Sequence, residues 1–176
     1  MKQIYKILSL KSLILSIFIL FMGTSIYAET TFEKIKRTGK VTVGTEAAFP
    51  PFEFVEDGKI VGYGKDILDY IIADLGVELN QLDLPWQGIL PGVLAGKFDF
   101  VATSVSIRAE RAKKYAFTVP IAEGTNWVMK RNGDTSIMSP DDLSGKVVCT
   151  QLASGSEKAT QEWEKDMKSR GLEGFK

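Results

Sequence analysis

The sequence predicts an α/β protein. Short β-rich runs alternate with amphipathic helical runs along most of the chain, and a strong hairpin signal stands at Asp57-Gly58. Composition agrees: hydrophobic residues make up 44% and charged residues 25% of 176, the balance of a globular chain with a real core. A disordered or fibrous chain is excluded on that balance.

The elements follow in order. Residues 1–28 read as an export signal. Lys2, Lys6 and Lys11 give a basic start, residues 13–22 form an apolar run broken only by Ser16, and the small, polar stretch up to Ala28 suits cleavage before Glu29. Ile26 is bulkier than the ideal there. A membrane span needs about 20 apolar residues, which this run does not supply. No cysteine stands near the cleavage point, so the expected product is periplasmic, free of a lipid anchor and soluble.

A polar helical stretch at 31–37 precedes a β-rich run at 41–45. Residues 52–55 and 59–63 flank the Asp57-Gly58 turn. Ile67, Leu68, Ile71, Ile72 and Leu75 keep helical spacing, and Gly76 is a natural stop. A strand is expected at 82–84. In 86–95, Ile89, Leu90, Val93 and Leu94 share a helical face, with Pro91 tolerable only in a first turn. Strands are expected at 98–104, 127–130 and 146–150, the last buried. A short helix is expected at 109–114, a helix start at Pro140-Asp141-Asp142 and a polar helix at 157–168.

Charge and residue usage exclude several chemistries. Three of the 22 basic residues lie in the leader, which carries no acid, so the remainder holds 19 basic against 22 acidic groups, a net charge of −3. That gives no basic face for nucleic acid. The chain has no histidine, which removes His-based triads and HExxH zinc sites. Its single cysteine cannot close an internal disulfide or build a multi-Cys metal site. No cofactor and no metal are expected.

Two segments carry the chemistry. Thr103, Ser104 and Ser106 stand at a strand end, followed by a helix start and Arg111. Helix N-terminal N–H groups favour an anion, and arginine adds a planar fork that binds both carboxylate oxygens. Arg111 is equally placed, by sequence, to pair with Glu110 or Asp99. The second segment, Gly44-Thr45-Glu46-Ala47-Ala48-Phe49-Pro50-Pro51-Phe52, ends a strand in a Pro-Pro turn. Loops after parallel strands form ligand crevices. Phe49 and Phe52, taken alone, fit a core better than a ligand wall. Glu46 fits an exposed turn or a helix cap as readily as a site.

Together these runs resemble the periplasmic amino-acid-binding proteins of ABC transporters, bacterial solute-binding protein family 3. The resemblance is carried by GTEAAFPPFEF, DGKIVGYGKDI, WQGILPGVLAGKFDF and SVSIRAERAKKYAFTVP, in order, over about residues 41–157. It implies the type II two-lobe architecture, closing on an amino acid like a hinge. The first lobe would be 29–120 and a partial second lobe 121–176.

Carried over by position, the resemblance makes Arg111 the grip on the ligand α-carboxylate. Thr103, Ser104 and Ser106 would hold its polar ends, Phe49 would stack on its side chain with Phe52 beside it, and Trp86 would be an apolar wall. Glu46 would face the ligand side chain. Ser154, Gly155 and Ser156 would donate to the carboxylate from the second lobe.

Two positions depart from the pattern. Arg108 replaces the usual threonine and adds a cation near the pocket mouth, its simplest reading being a solvated surface arginine. Asp66 alone survives of an Asp-x-Asp helix opening, where capping is the expected job. The family also continues beyond this point into the rest of the second lobe, which supplies an aspartate for the ligand ammonium, so the second lobe is expected to be incomplete here. The expected function is capture of a polar amino acid and its delivery to a membrane permease by a monomer. The alternatives are a periplasmic enzyme on the same lobes, dehydratase-like or transglycosylase-like with Glu46 as proton donor, a sensory input lobe, and a truncated inactive product.

Overall fold

The computed structural model describes residues 28–176, so the export signal read at 1–28 lies outside the described residues except for Ala28. The chain divides into two units, one ending at Thr38 and the other spanning Gly39–Lys176. In the first, helix α1 is Thr31–Thr38. Thr30 opens it with a reciprocal capping box: the Glu33 N–H donates to Thr30 Oγ1 (3.2 Å), and Glu33 Oε2 accepts from the Thr30 N–H (2.8 Å).

The core of the second unit is a parallel sheet of β1 (Lys40–Thr45), β5 (Glu78–Asp83) and β6 (Phe100–Val101) in the order β5-β1-β6. β1 is central. Val41, Val43 and Thr45 are fully buried on it, the near-continuous burial of a strand covered on both faces. Lys40 pairs with Glu78 on one side and Val43 with Phe100 on the other. The chain therefore leaves β1 first to one flank and then to the other, and such a reversal opens a crevice at the carboxyl ends of the strands.

A second, antiparallel sheet holds β2 (Ala48–Phe49), β3 (Glu53–Glu56) and β4 (Lys59–Val61) in that order. Asp57 (φ 49°) and Gly58 (φ 72°) both take positive φ, as a two-residue hairpin turn demands. Helix α2 (Tyr63–Leu75) buries Leu68 and Ile72 and stops at left-handed Gly76, whose N–H donates back to Ile72 and Ala73. Asp66 lies in the first turn of α2 but makes no capping bond; Gly62 holds the cap position.

Helix α3 (Trp86–Leu94) packs Ile89 against the sheet and keeps Pro91 in its interior, beyond the first turn where the sequence tolerates it. The carbonyl deprived of its partner belongs to Gln87, an exposed residue that water can serve. Phe98, 4% exposed, fills a slot made by two glycines: a Cβ on Gly44 would lie 2.7 Å from its ring, and one on Gly92 2.6 Å.

Several expected strands differ. The one read at 82–84 begins at Glu78, hidden by its polar residues, because Asn80 and Gln81 donate across to Thr42 and Thr45 of β1. The one read at 98–104 shrinks to Phe100–Val101, because the Ser104 N–H leaves the ladder for the Glu53 side chain. Residues 127–130 form no strand: Trp127 is 86% and Met129 95% exposed, with no described strand alongside to pair with. Residues 146–150 are not the buried strand expected. They run partly exposed, bonded only by their start to the returning chain: Lys176 N–H to Lys146 O (2.9 Å) and Val148 N–H to Lys176 O (3.3 Å).

Helix α4 (Ala109–Ala112) is shorter than expected. Pro140–Leu143 forms a 3₁₀ turn opened by a Ser139–Asp142 capping box. Helix α5 (Gly155–Ser169) starts two residues before the expected 157, with Ser154 as its N-cap. No helix among the described residues is long and apolar enough to cross a membrane.

Candidate functional site

The expected residues gather where β1 and β6 end. Thr45, fully buried, donates its hydroxyl to Ala102 O (2.8 Å), and Asp83 accepts from the Ala47 N–H (2.9 Å). Those bonds fix the turn that carries Glu46 and Phe49. Phe49 is 51% exposed, so it is not the core residue that its chemistry alone suggests. Its ring stacks on Phe52 at 5.5 Å and 17° between planes, and Phe52 meets the edge of Tyr63 at 6.2 Å.

Phe49, Phe52, Thr103, Ser104 and Ser106 line one cavity of about 970 Å³. Trp86, Arg111 and Glu46 do not line it. Trp86 and Arg111 form a second group of their own, and Glu46 is bonded to Gln151.

In that group the Arg111 guanidinium lies over the buried Trp86 indole, 5.3 Å from the ring centroid. Its N–H groups donate to backbone carbonyls only, Ser106 O at 3.1 Å and Ala153 O at 3.5 Å. Both acids that could have neutralised it are engaged elsewhere: Glu110 pairs with Lys158, and Asp99 accepts from the Thr42 N–H (2.8 Å). Partial burial, and then the neighbouring Arg108 cation, lower the Arg111 guanidinium from its ordinary pKa. A cation partly stripped of water, with a like charge nearby and no acid partner among the described residues, is suited to an incoming anion.

Arg108 is not a solvated surface arginine. It is half-buried and donates to Gly155 O at 2.7 Å, packed so closely that a Cβ on Gly155 would lie 2.5 Å from its Nη2. Glu46 accepts from the Gln151 side-chain amide at 2.7 Å. Ser154 accepts from the Glu157 N–H (3.1 Å) as the cap of α5, and the exposed Ser156 hydroxyl donates to Asn126 (2.9 Å). The small-residue segment is therefore a helix N-terminus and not a free loop.

Sequence reasoning missed Glu53. It is 2% exposed and accepts from the Ser104 hydroxyl (2.9 Å) and N–H (3.2 Å), with Thr103 Oγ1 at 3.5 Å. Burial raises its carboxyl above the ordinary range, and the Ser104 and Thr103 bonds oppose that. The one available signal was a charge between two phenylalanines, Phe52-Glu53-Phe54, on a strand. No cluster of three or more potential metal ligands occurs among the described residues.

A family profile, that of bacterial extracellular solute-binding proteins, family 3, matches residues 41–170. The chain is 34% identical to the L-cystine-binding protein TcyJ of Escherichia coli (strain K12), over 73% of this chain and 49% of that one. Among solved structures, an ancestral arginine-binding protein bound to arginine superposes with a TM-score of 0.67 at 38% identity, covering 73% of this chain and 57% of the other. An ancestral amino-acid-binding protein, AncCDT-1, a precursor of cyclohexadienyl dehydratase, gives 0.69 at 33% identity, covering 76% and 61%. The chain spans about half the length of the curated relatives it matches.

Proposed function

The chain belongs to the bacterial extracellular solute-binding proteins, family 3, and from that premise we propose that it captures a polar amino acid outside the cytoplasm for delivery to an ABC-transporter permease. The observation that carries the proposal is Arg111. Its guanidinium is held over Trp86 by carbonyls and meets no acid among the described residues. Such a group has one obvious use, a bidentate grip on the ligand's α-carboxylate, and charge-assisted bonds of that kind contribute about 1.5–3 kcal/mol each.

Around that grip, Thr103 and Ser106 would hold the ligand's polar end, with Ser104 supplying the backbone between them. Phe49 and Phe52 would stack on its side chain. The N-terminus of α5, at Ser154, Gly155 and Ser156, would add backbone dipole to the carboxylate site. Glu46 favours a cationic or zwitterionic side chain and Arg108 an anionic one, so the pair suits a polar ligand carrying both signs. Residues 29–120 would form the first lobe, and 121–176 the start of the second.

Binding would be non-covalent, without turnover, and the carrier a monomer with no cofactor. Support for a carrier over an enzyme comes from the relatives, which are named as binding proteins. The likeness to a dehydratase precursor motivates the direct check: turnover of a cyclic keto acid would replace the carrier reading.

A thermal-shift screen of the proteinogenic amino acids and cystine tests the proposal. A ligand at 100 times its dissociation constant adds about 2.7 kcal/mol of stability. The expected result is a shift with at least one polar amino acid that disappears in Arg111→Ala. No shift with any of them would overturn the proposal.

A further inference from the structure

Ser104 stands at the middle of the expected ligand segment, yet both of its donors are spent on Glu53. Glu53 belongs to the other sheet, on β3, and its carboxylate lies against the first turn of α2. A Cβ on Gly64 would sit 2.2 Å from Glu53 Oε1. No cation among the described residues pairs with this 2%-exposed carboxylate. An isolated buried carboxylate is costly, and here the cost is offset by the bonds from Thr103 and Ser104, which tie the end of β6 to β3.

We propose that Glu53 is the positioning residue of the ligand site, clamping Thr103 and Ser104 at the end of β6 to the start of α2, and that Gly64 exists to make room for it. This inference rests on the solute-binding reading for its functional consequence, and on the geometry alone for the clamp. The clamp explains why β6 ends after Val101: the Ser104 N–H turns out of the ladder toward a side chain. It also sets the path of the backbone into Ser106, whose carbonyl receives Arg111. Glu53 would thus act on the ligand through Ser104 and, one step on, through the seat of Arg111, without touching the ligand itself.

Gly64→Ala separates this role from folding. Gly64 lies inside α2 without positive φ, so alanine suits its backbone and improves helix propensity. The atom the new methyl meets is the far end of a flexible side chain, so the carboxylate swings away and the fold remains. The full chain, in wild-type, Gly64→Ala and Glu53→Gln forms, is examined by amide hydrogen exchange at Ser104, by a pH titration of its amide resonance, and by calorimetry with L-arginine and L-cystine.

The inference expects the Ser104 amide of Gly64→Ala to lose protection with the unfolding midpoint unchanged or raised. Probe affinity should fall about tenfold or more, the equivalent of one charge-assisted bond. Glu53→Gln keeps an acceptor and should retain Ser104 protection, while the pH titration of that resonance disappears. An unaltered Ser104 amide in Gly64→Ala, or a Ser104 resonance in wild type that does not follow a carboxyl titration, would overturn the inference. If wild type binds neither probe, that counts against the ligand choice or the solute-binding reading, and the amide measurements decide the clamp alone. Should Gly64→Ala fail to fold, Glu53→Gln decides it by the same resonance.

Discussion

The Arg111 guanidinium rests over the Trp86 indole at 5.3 Å, and its N–H groups end on two backbone carbonyls without meeting a carboxylate among the described residues. Glu110, its nearest neighbour in sequence, has been drawn off by Lys158. The cation is thereby positioned, partly desolvated and left with charge to spend.

Lysine at this position keeps the charge and loses the planar fork. Arg111→Lys should weaken binding of any amino acid that stabilises the wild type by about 1.5–3 kcal/mol, the value of one charge-assisted bond. Isothermal titration of the two proteins checks it; equal affinities would mean that the fork is not used.

The Phe98 slot predicts a purely structural effect. Gly44→Ala drives a methyl to 2.7 Å from a buried ring inside the central strand, where neither backbone nor ring has room to give. Overpacking of this kind costs about 1–3 kcal/mol. Gly92→Ala meets the same ring at 2.6 Å but recovers about 1 kcal/mol of helix propensity, so it should be the milder of the two. Urea unfolding of both variants gives the ranking directly.

Glu53 sets a pH dependence of definite sign. Burial raises its folded-state carboxyl above the ordinary range. Its contribution to stability is therefore fully present below the usual glutamate value and is lost as pH climbs through the raised one. Exposed carboxylates such as Asp141 and Asp142, lowered by Arg170 and by backbone N–H groups respectively, run the other way. The difference between wild type and Glu53→Gln isolates the one group. That difference should turn against the wild type as pH rises above the ordinary glutamate range. A difference that stays flat, measured by denaturant unfolding, would mean that Glu53 is as well solvated as a surface acid.

Contacts between the β6–α4 segment and the start of α5 predict a kinetic effect. Arg108 reaches Gly155 O, and Gly155→Ala would put a methyl on its guanidinium. Loss of that bridge should raise the ligand dissociation rate more than it lowers the association rate, since association depends on encounter and dissociation on the closed contacts. Stopped-flow measurement separates the two, and an unchanged dissociation rate would exclude the bridge from closure.

The parts of this fold that the sequence announces are those decided locally. Asp57-Gly58 makes its hairpin because the turn itself needs positive φ, and Gly76 stops α2 for the same reason. The apolar run of β1 is legible because that strand is buried on both faces. Strands at 127–130 and 146–150 were not decidable so, because a strand exists only with a partner and apolar residues do not name one. The same holds in the site. Arg111, Ser104 and Phe49 were readable as residue types in a pattern. Glu53 was not, because what defines it is a bond to a serine 51 positions away, and the Glu46–Gln151 contact spans 105. Ser154 and Ser156 are legible as small hydroxyl residues, but that one caps its own helix and the other bonds Asn126 is set by partners the local sequence does not name.

The most direct measurement of the carboxylate grip compares an amino acid with the amine it yields on decarboxylation, L-arginine with agmatine or L-histidine with histamine, on wild type and Arg111→Ala. Wild type should bind the amino acid and lose most of that affinity for the amine, while the variant should bind both equally weakly. Equal affinity of the wild type for an amino acid and its amine would contradict the account.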